Sequence, residues 1–227
     1  MELRSGMCYY SNCDRNYHAN YTFMIPFENV REHWDHDNLQ SYEPEQVTSI
    51  KTGGWKLTAE PCEDIFPDPL TQQQLRLKGK DPFYTHKSGR LMTDYIYGVP
   101  SSFRIICDIP QVKGVVPGFW WYRDPKNGVF EVDGFEATKC KFYMSVHDSW
   151  DQGHGMLFHK MLHRKMPKLN MIEVHFNMDN ITWVVNKKVY IYKTDLGKFP
   201  YKMLLTLGVT EPIKKPVSWN VYEVTVR

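Results

Sequence analysis

The chain has 227 residues, of which 42% are hydrophobic and 24% are charged. This composition is typical of a folded globular protein and excludes intrinsic disorder. The net charge of +2 is too small to indicate a polyanion-binding surface, so we expect no nucleic-acid partner. We also expect no membrane partner, because no window approaches the roughly 18 consecutive apolar residues that a membrane helix needs.

Residues 1–22 are polar and predict an irregular lead-in, followed by one domain at residues 23–227. In this domain, short runs of alternating or apolar residues are separated by turn residues and predict β-strands. The predicted strands are Lys56–Ala59, Gln74–Lys78, Leu91–Tyr97, Phe103–Ile109, Gly128–Glu136, Lys141–Val146, Met171–Phe176, Ile181–Val185, Val189–Tyr192, Met203–Leu207 and Tyr222–Val226. Only Gly155–Met166 has a helical pattern. So many strands without long helices predict an antiparallel sandwich or barrel.

The cysteines and the first residues bear on the compartment. The segment Met1–Met7 has no apolar run of the kind found in secretory signals. The five cysteines include no CxxC pair, and the spacing of Cys8 and Cys13 leaves a short-loop disulfide open.

Three carboxylates lie close together on one predicted strand: Glu131, Asp133 and Glu136. In a regular strand Glu131 and Asp133 share a face, and Glu136 points the other way. One bulged residue between them would bring all three to the same face, and Gly134 is a natural position for it. Carboxylates this close raise the pKa of at least one of them. One could then donate a proton while another attacks as a carboxylate.

The acidic strand has two other interpretations, a solvated acidic edge and a calcium site, although it lacks the oxygen spacing of an EF-hand. His159 and His163 are four residues apart and would share one face of a helix. No HExxH motif or third ligand accompanies them, so we interpret them as surface residues and predict no metal site. The basic run Lys160–Lys168 is interpreted as a solvated loop.

The acidic strand, with Gly118–Trp121 before it, resembles the signature of glycoside hydrolase family 16, which includes laminarinases, agarases and carrageenases. Further segments are similar to motifs of the same family: Ser88–Thr93, Tyr95–Gly98, Lys113–Trp120, Ile172–Val189, Phe199–Leu207 and Tyr222–Val224. The resemblance covers about residues 23–227. It implies an all-β fold, a two-sheet antiparallel β-sandwich of the concanavalin A-like jelly-roll type, with a concave cleft for a glycan. Gly134 departs from the family pattern, which usually has an apolar residue there.

The resemblance also implies roles for the acids. Glu131 would be the nucleophile, Glu136 the general acid and base, and Asp133 the assisting carboxylate. The expected glycan-binding residues are Trp120, Trp121, His147, Trp150, Arg90 and Trp55. Because neighbouring residues of a strand face opposite ways, only one of Trp120 and Trp121 should face the cleft.

These observations predict an endo-acting, retaining glycoside hydrolase that cleaves a β-linked polysaccharide, either a β-glucan or an algal galactan. We expect a monomer that needs no cofactor, with a structural calcium ion as an open alternative. The family implies an extracellular, cell-surface or virion location. The competing hypothesis is a non-catalytic glycan-binding protein on the same fold, such as a lectin-like protein or a virion or surface adhesion protein. Transglycosylation, which shares the glycosyl-enzyme intermediate, stays open as a third alternative.

Overall fold

The computed structural model of the protein describes residues 27–29, 40–51, 53–65, 72–73, 76–77, 83–123, 131–148, 155–163, 165–195 and 201–227. Most of these residues lie in strands. The strands are β1 (Phe27–Asn29), β2 (Gln40–Tyr42), β3 (Val47–Ser49), β4 (Trp55–Ile65), β5 (Tyr84–Ser88), β6 (Arg90–Tyr97), β7 (Ser101–Cys107), β8 (Val115–Tyr122), β9 (Glu131–Ala137), β10 (Lys141–His147), β11 (Met156–His163), β12 (Asn170–Phe176), β13 (Asn180–Val185), β14 (Lys188–Lys193), β15 (Tyr201–Val209) and β16 (Val217–Val226). A short 3-10 helix spans Pro44–Gln46. Within the described residues, no helical segment has the length and hydrophobicity that a membrane crossing requires.

The strands form two sheets. The first sheet has the order β1-β6-β15-β8-β9-β10-β11, and the second has the order β14-β13-β12-β7-β16-β4-β5-β2, with β3 beside β4. Neighbouring strands are antiparallel except β2 and β5, which are parallel. The structure therefore confirms the predicted two-sheet antiparallel sandwich.

The space between the sheets is filled with aromatic side chains. Trp121 on β8 is fully buried, and its ring lies 4.9 Å from Phe103, 4.4 Å from Phe119 and 5.0 Å from Phe176 between ring centroids. Burying one side chain of this size contributes roughly 2–3 kcal/mol to folding. This packing makes a rigid support beneath β8 and β9, the strands on which the candidate site is built.

The predicted strands are confirmed where the structure describes them, with two exceptions. The strand predicted at Phe103–Ile109 ends at Cys107. Arg76 and Leu77 have a helical backbone, so the strand predicted at Gln74–Lys78 is wrong at these two positions. The predicted lead-in at residues 1–22 lies outside the described residues.

The helix predicted at Gly155–Met166 is also wrong, because this segment contains the edge strand β11. Its backbone pairs with β10 from Lys141 opposite His163 to His147 opposite Met156. Phe158 and Leu162 pack against the core. Residues four apart share a face in a strand as well as in a helix, so this apolar pair does not distinguish the two. The ladder to β10 outweighs the local preference of Met, Leu and Lys for helix.

Candidate active site

The acidic strand β9 contains one extra residue relative to the segment of β10 with which it pairs. Tyr143 of β10 pairs with Glu136. Ser145, two residues further along β10, pairs with Asp133, three residues back along β9. A two-residue step matched by a three-residue step is a β-bulge on β9.

The pairing with β8 on the other side locates the bulge. Phe119 of β8 pairs with Phe135, and the next residue, Trp120, pairs with Asp133. Gly134 is therefore the residue without a partner on β8. The bulge predicted at this glycine is confirmed.

The core explains why residue 134 is a glycine. Gly134 is buried, and a Cβ added to it would lie 2.8 Å from Cζ3 of Trp121 and 2.9 Å from the carbonyl oxygen of Phe119. Moving either the backbone or a fully buried tryptophan would cost folding free energy. The departure from the family pattern thus fits the close approach of β8 and the core to the bulge.

The bulge brings the three acids to the outer face of the first sheet. Glu131, Asp133 and Glu136 pair with Tyr122, Trp120 and Gly118 on β8, which are alternate residues and so share a face. The three acids differ in exposure. The side chain of Glu131 is 20% exposed and that of Asp133 only 3%, whereas Glu136 is exposed.

Asp133 sits at the centre of a polar cluster. The Ser145 hydroxyl donates a hydrogen bond of 2.6 Å to Oδ2 of Asp133. Nε2 of His147 lies 3.3 Å from the same oxygen and 3.9 Å from Oε1 of Glu131. The hydrogen bond to Asp133 raises the pKa of His147, and burial opposes the rise. The cluster thus favours a positively charged imidazole beside Glu131 and Asp133.

Trp120 and Trp121 face opposite ways, as expected. Trp120 lies on the face that carries the acids, its indole N–H donates a 3.1 Å hydrogen bond to the Thr206 hydroxyl, and its ring centroid is 5.8 Å from that of Tyr122. Trp121 is fully buried in the core. The expectation that Trp121 contacts the glycan is therefore wrong, and Trp120 is the platform candidate of the pair.

Two other expected glycan contacts are placed elsewhere. Arg90 is 3% exposed, and its guanidinium lies 4.0 Å from the Tyr42 ring centroid and 6.0 Å from that of Trp120. It is a buried cation–π partner of Tyr42 close to Trp120, not a direct sugar contact. Trp55 is on β4 of the second sheet and packs against the core. Burial corrects the prediction for Arg90. The prediction for Trp55, which is half-buried, is corrected by its place on the second sheet, because the acids lie on the first.

Trp150, the remaining expected glycan contact, lies outside the described residues. The structure adds two residues that the sequence argument missed, Ser145 and Tyr122. Ser145 lies two residues before His147, and Tyr122 lies two residues after Trp120. Both could have been found from the sequence, because alternate residues of a strand share a face.

One atom each of Glu131, Asp133 and His147 lie within 4.8 Å of one another, so these side chains could hold a metal ion. An imidazole with two carboxylates suits a transition metal better than calcium, which prefers oxygen ligands. The sequence left a calcium site open as one interpretation of the acidic strand, but it did not predict a site that includes His147. Hydrogen bonding within the cluster offers an account of their proximity that needs no ion.

No protein-family model matches the sequence, and no curated protein matches it. The fold is nevertheless similar to solved structures. The laminarinase catalytic domain from Thermotoga maritima is 16% identical, with a TM-score of 0.69 over 89% of this chain and 90% of that one. The endo-β-1,3-glucanase from Pyrococcus furiosus is 17% identical, with a TM-score of 0.68 over 88% and 87%. The kappa-carrageenase from Pseudoalteromonas carrageenovora is 18% identical, with a TM-score of 0.68 over 88% of each chain.

These similarities confirm the fold expected from the sequence resemblance. The protein has the jelly-roll architecture of laminarinase and carrageenase catalytic domains. At this level of identity the architecture is what the structures share, and the chemistry has to be argued from the site itself.

Proposed function

We propose that this protein is an endo-acting, retaining glycoside hydrolase that cleaves a β-linked polysaccharide, a β-glucan or an algal galactan. The observation that carries the proposal is the bulge at Gly134. It gathers Glu131, Asp133 and Glu136 on the outer face of the first sheet. The relatives in fold, which include endo-β-glucanases and a carrageenase, support the same substrate class. The proposed enzyme acts as a monomer and needs no cofactor.

In the first step, a carboxylate oxygen of Glu131 attacks the anomeric carbon of the sugar. The bond from that carbon to the glycosidic oxygen breaks, and Glu136 transfers its proton to the departing oxygen. The product is an ester between the sugar and Glu131. The exposure of Glu136 suits this role, because the leaving chain must be able to reach it and then depart.

In the second step, Glu136, now a carboxylate, takes a proton from a water molecule. The water oxygen attacks the anomeric carbon, and the ester bond to Glu131 breaks. Glu136 is again protonated and Glu131 is again a carboxylate. Two inversions at the same carbon give overall retention of configuration.

Asp133 and His147 support the nucleophile. Asp133 is held by the Ser145 hydroxyl and, together with Glu131, lies beside the His147 imidazole. The positive charge on His147 favours the ionised form of Glu131, which is the form that attacks. Asp133 keeps the imidazole charged and oriented.

The test is hydrolysis of a panel of β-glucans and algal galactans by the wild type, Glu131→Gln and Glu136→Gln. Each substitution should lower kcat/KM by several orders of magnitude, a loss of several kcal/mol of transition-state stabilisation. Glu173→Gln is a matched control, because Glu173 is a partly exposed glutamate on the second sheet. Activity that persists in both acid variants contradicts the assigned roles.

The same panel distinguishes a hydrolase from the competing hypothesis of a non-catalytic glycan-binding protein. A lectin or adhesion protein on this fold would bind a glycan without releasing shorter products during prolonged incubation. Binding by the wild type that is retained in both acid variants, with no turnover in any of the three, is the result expected of a non-catalytic protein.

A further inference from the structure

A side chain of the second sheet is hydrogen-bonded to the backbone of the acidic strand. Trp183 lies on β13 and is fully buried. Its indole N–H donates a hydrogen bond of 2.9 Å to the backbone carbonyl oxygen of Asp133. This bond crosses the core and ends on the residue directly before the bulged Gly134.

A β-bulge disturbs the pairing of its strand, and a buried carbonyl without a donor costs about 1–3 kcal/mol. The Trp183 indole supplies a donor at the point where the disturbance begins. The other two fully buried tryptophans differ in this respect. Within the described part of the chain, the indole nitrogen of Trp121 has no hydrogen-bond partner. That of Trp219 has no oxygen or nitrogen partner and lies beside the buried Cys107 thiol.

The Trp183 ring is itself held in place. Phe158 of β11 stacks on it with a centroid distance of 5.3 Å, and Tyr192 of β14 stacks on Phe158 at 5.0 Å. This stack joins the β11 edge of the first sheet to the β14 edge of the second. It orients the indole, and a donor that is already oriented fixes its acceptor without further loss of side-chain entropy.

We infer that Trp183 is a positioning residue for the acids of β9. Its N–H fixes the Asp133 carbonyl and thereby holds the bulge in the conformation that turns Glu136 onto the face of Glu131. The structural part of this inference stands on the hydrogen bond alone, and its catalytic consequence rests on the proposed function. Trp183 touches no substrate and acts only through the backbone of β9.

The experiment compares Trp183→Phe with Trp219→Phe in the full chain. Both substitutions remove an indole from a fully buried site and keep an aromatic ring. Trp219 is also a neighbour of the bulge, with its ring 5.9 Å from that of Phe135, but it makes no hydrogen bond to β9 among the described residues. The pair therefore separates loss of the hydrogen bond from loss of core volume.

The inference predicts that Trp183→Phe lowers kcat by about 10- to 100-fold with KM nearly unchanged, because small displacements of catalytic groups cost up to about 100-fold in rate. Trp219→Phe should keep kcat within about twofold, although it also loses thermal stability because it removes buried core volume. A second readout needs no activity. Amide hydrogen exchange at residues 134–137 should be faster in Trp183→Phe than in Trp219→Phe.

The outcomes are distinguishable. If the wild type hydrolyses no glycan, the proposed function fails, and the exchange comparison still tests the hydrogen bond. Equal exchange and equal kcat in the two variants overturn the inference. If Trp183→Phe does not fold, 3-benzothienylalanine at position 183 keeps the size of the indole and replaces its N–H by sulfur. Wild-type kcat and wild-type exchange in that protein likewise overturn the inference.

Discussion

His147 lies beside both Glu131 and Asp133, and its charge depends on the acids around it. Its pKa is raised from the ordinary value of 6.5, chiefly by the hydrogen bond to Asp133 and also by the charges of Asp133, Glu136 and Asp148. A raised pKa in the folded state means that the fold stabilises the protonated imidazole. The charge on His147 thus persists at a higher pH than it would on an isolated histidine.

We predict that the His147 imidazole titrates above pH 6.5 in the folded wild type and at lower pH in Asp133→Asn. The contribution of His147 to the free energy of unfolding should be fully present below the unfolded pKa of about 6.5 and be lost as the pH rises through the folded value. Proton NMR of the imidazole measures the titration. Chemical denaturation of the wild type and His147→Gln across pH 5–9 measures the stability. A stability difference that grows with rising pH would contradict the assignment.

Because Trp120 and Trp121 face opposite ways, we expect the same substitution to have different effects at the two positions. Trp120→Ala should weaken glycan binding and change stability modestly, because Trp120 is only partly buried on the outer face of the first sheet. Trp121→Ala should cost about 3–5 kcal/mol of folding free energy, because it opens a cavity in the core. Glycan affinity electrophoresis and urea denaturation measure the two effects. Equal losses of stability would show that the two rings are not on opposite faces.

At the scale of the strand, the bulge on β9 makes a specific prediction about its length. Deleting Gly134 leaves Phe135 next to Asp133, so that every residue from Glu131 to Ala137 pairs step by step with β8 and β10. Glu136 then stays on the face of Glu131 by ordinary alternation. We expect the deletion variant to fold with a thermal midpoint close to that of the wild type.

Gly134→Ala, in contrast, should lower the thermal midpoint. It keeps the extra residue and adds a Cβ where Trp121 and Phe119 leave no room. Overpacking of this kind costs about 1–3 kcal/mol. Gly98→Ala is the matched control, because a Cβ at Gly98 meets nothing within 4 Å. Thermal unfolding of the three variants is the measurement. A deletion variant less stable than Gly134→Ala would contradict this description of the bulge.

The acidic strand and its bulge could be predicted because their cause is local. The spacing of Glu131, Asp133 and Glu136, with a glycine between them, already indicates an extra residue. The strand β11 could not be predicted in this way, since its apolar residues Phe158 and Leu162 fit a helix and a strand equally well. Only the ladder to β10, which involves residues distant in the chain, decides between the two.

At the scale of the whole molecule, alternating segments and turns predicted an antiparallel sandwich or barrel, and the family resemblance narrowed this to a two-sheet sandwich. The order of the strands did not follow from them. β15, near the end of the chain, lies between β6 and β8, and β2 lies beyond β5 in the second sheet. The burial of Arg90 between Tyr42 and Trp120 and the bond from Trp183 to Asp133 depend on such long-range placement, so the local pattern around each residue carries no sign of them.

The proposed enzyme requires Glu131 to act as the nucleophile, with Glu136 as acid and then base on the same face of one sheet. The most direct measurement is proton NMR of the anomeric configuration of the sugar first released from a hydrolysed β-glycan. Because the proposed double displacement retains the anomeric configuration, we expect the β-anomer to appear first and to convert later to the equilibrium mixture. Initial release of the α-anomer would contradict it, because a single displacement by water inverts the anomeric carbon.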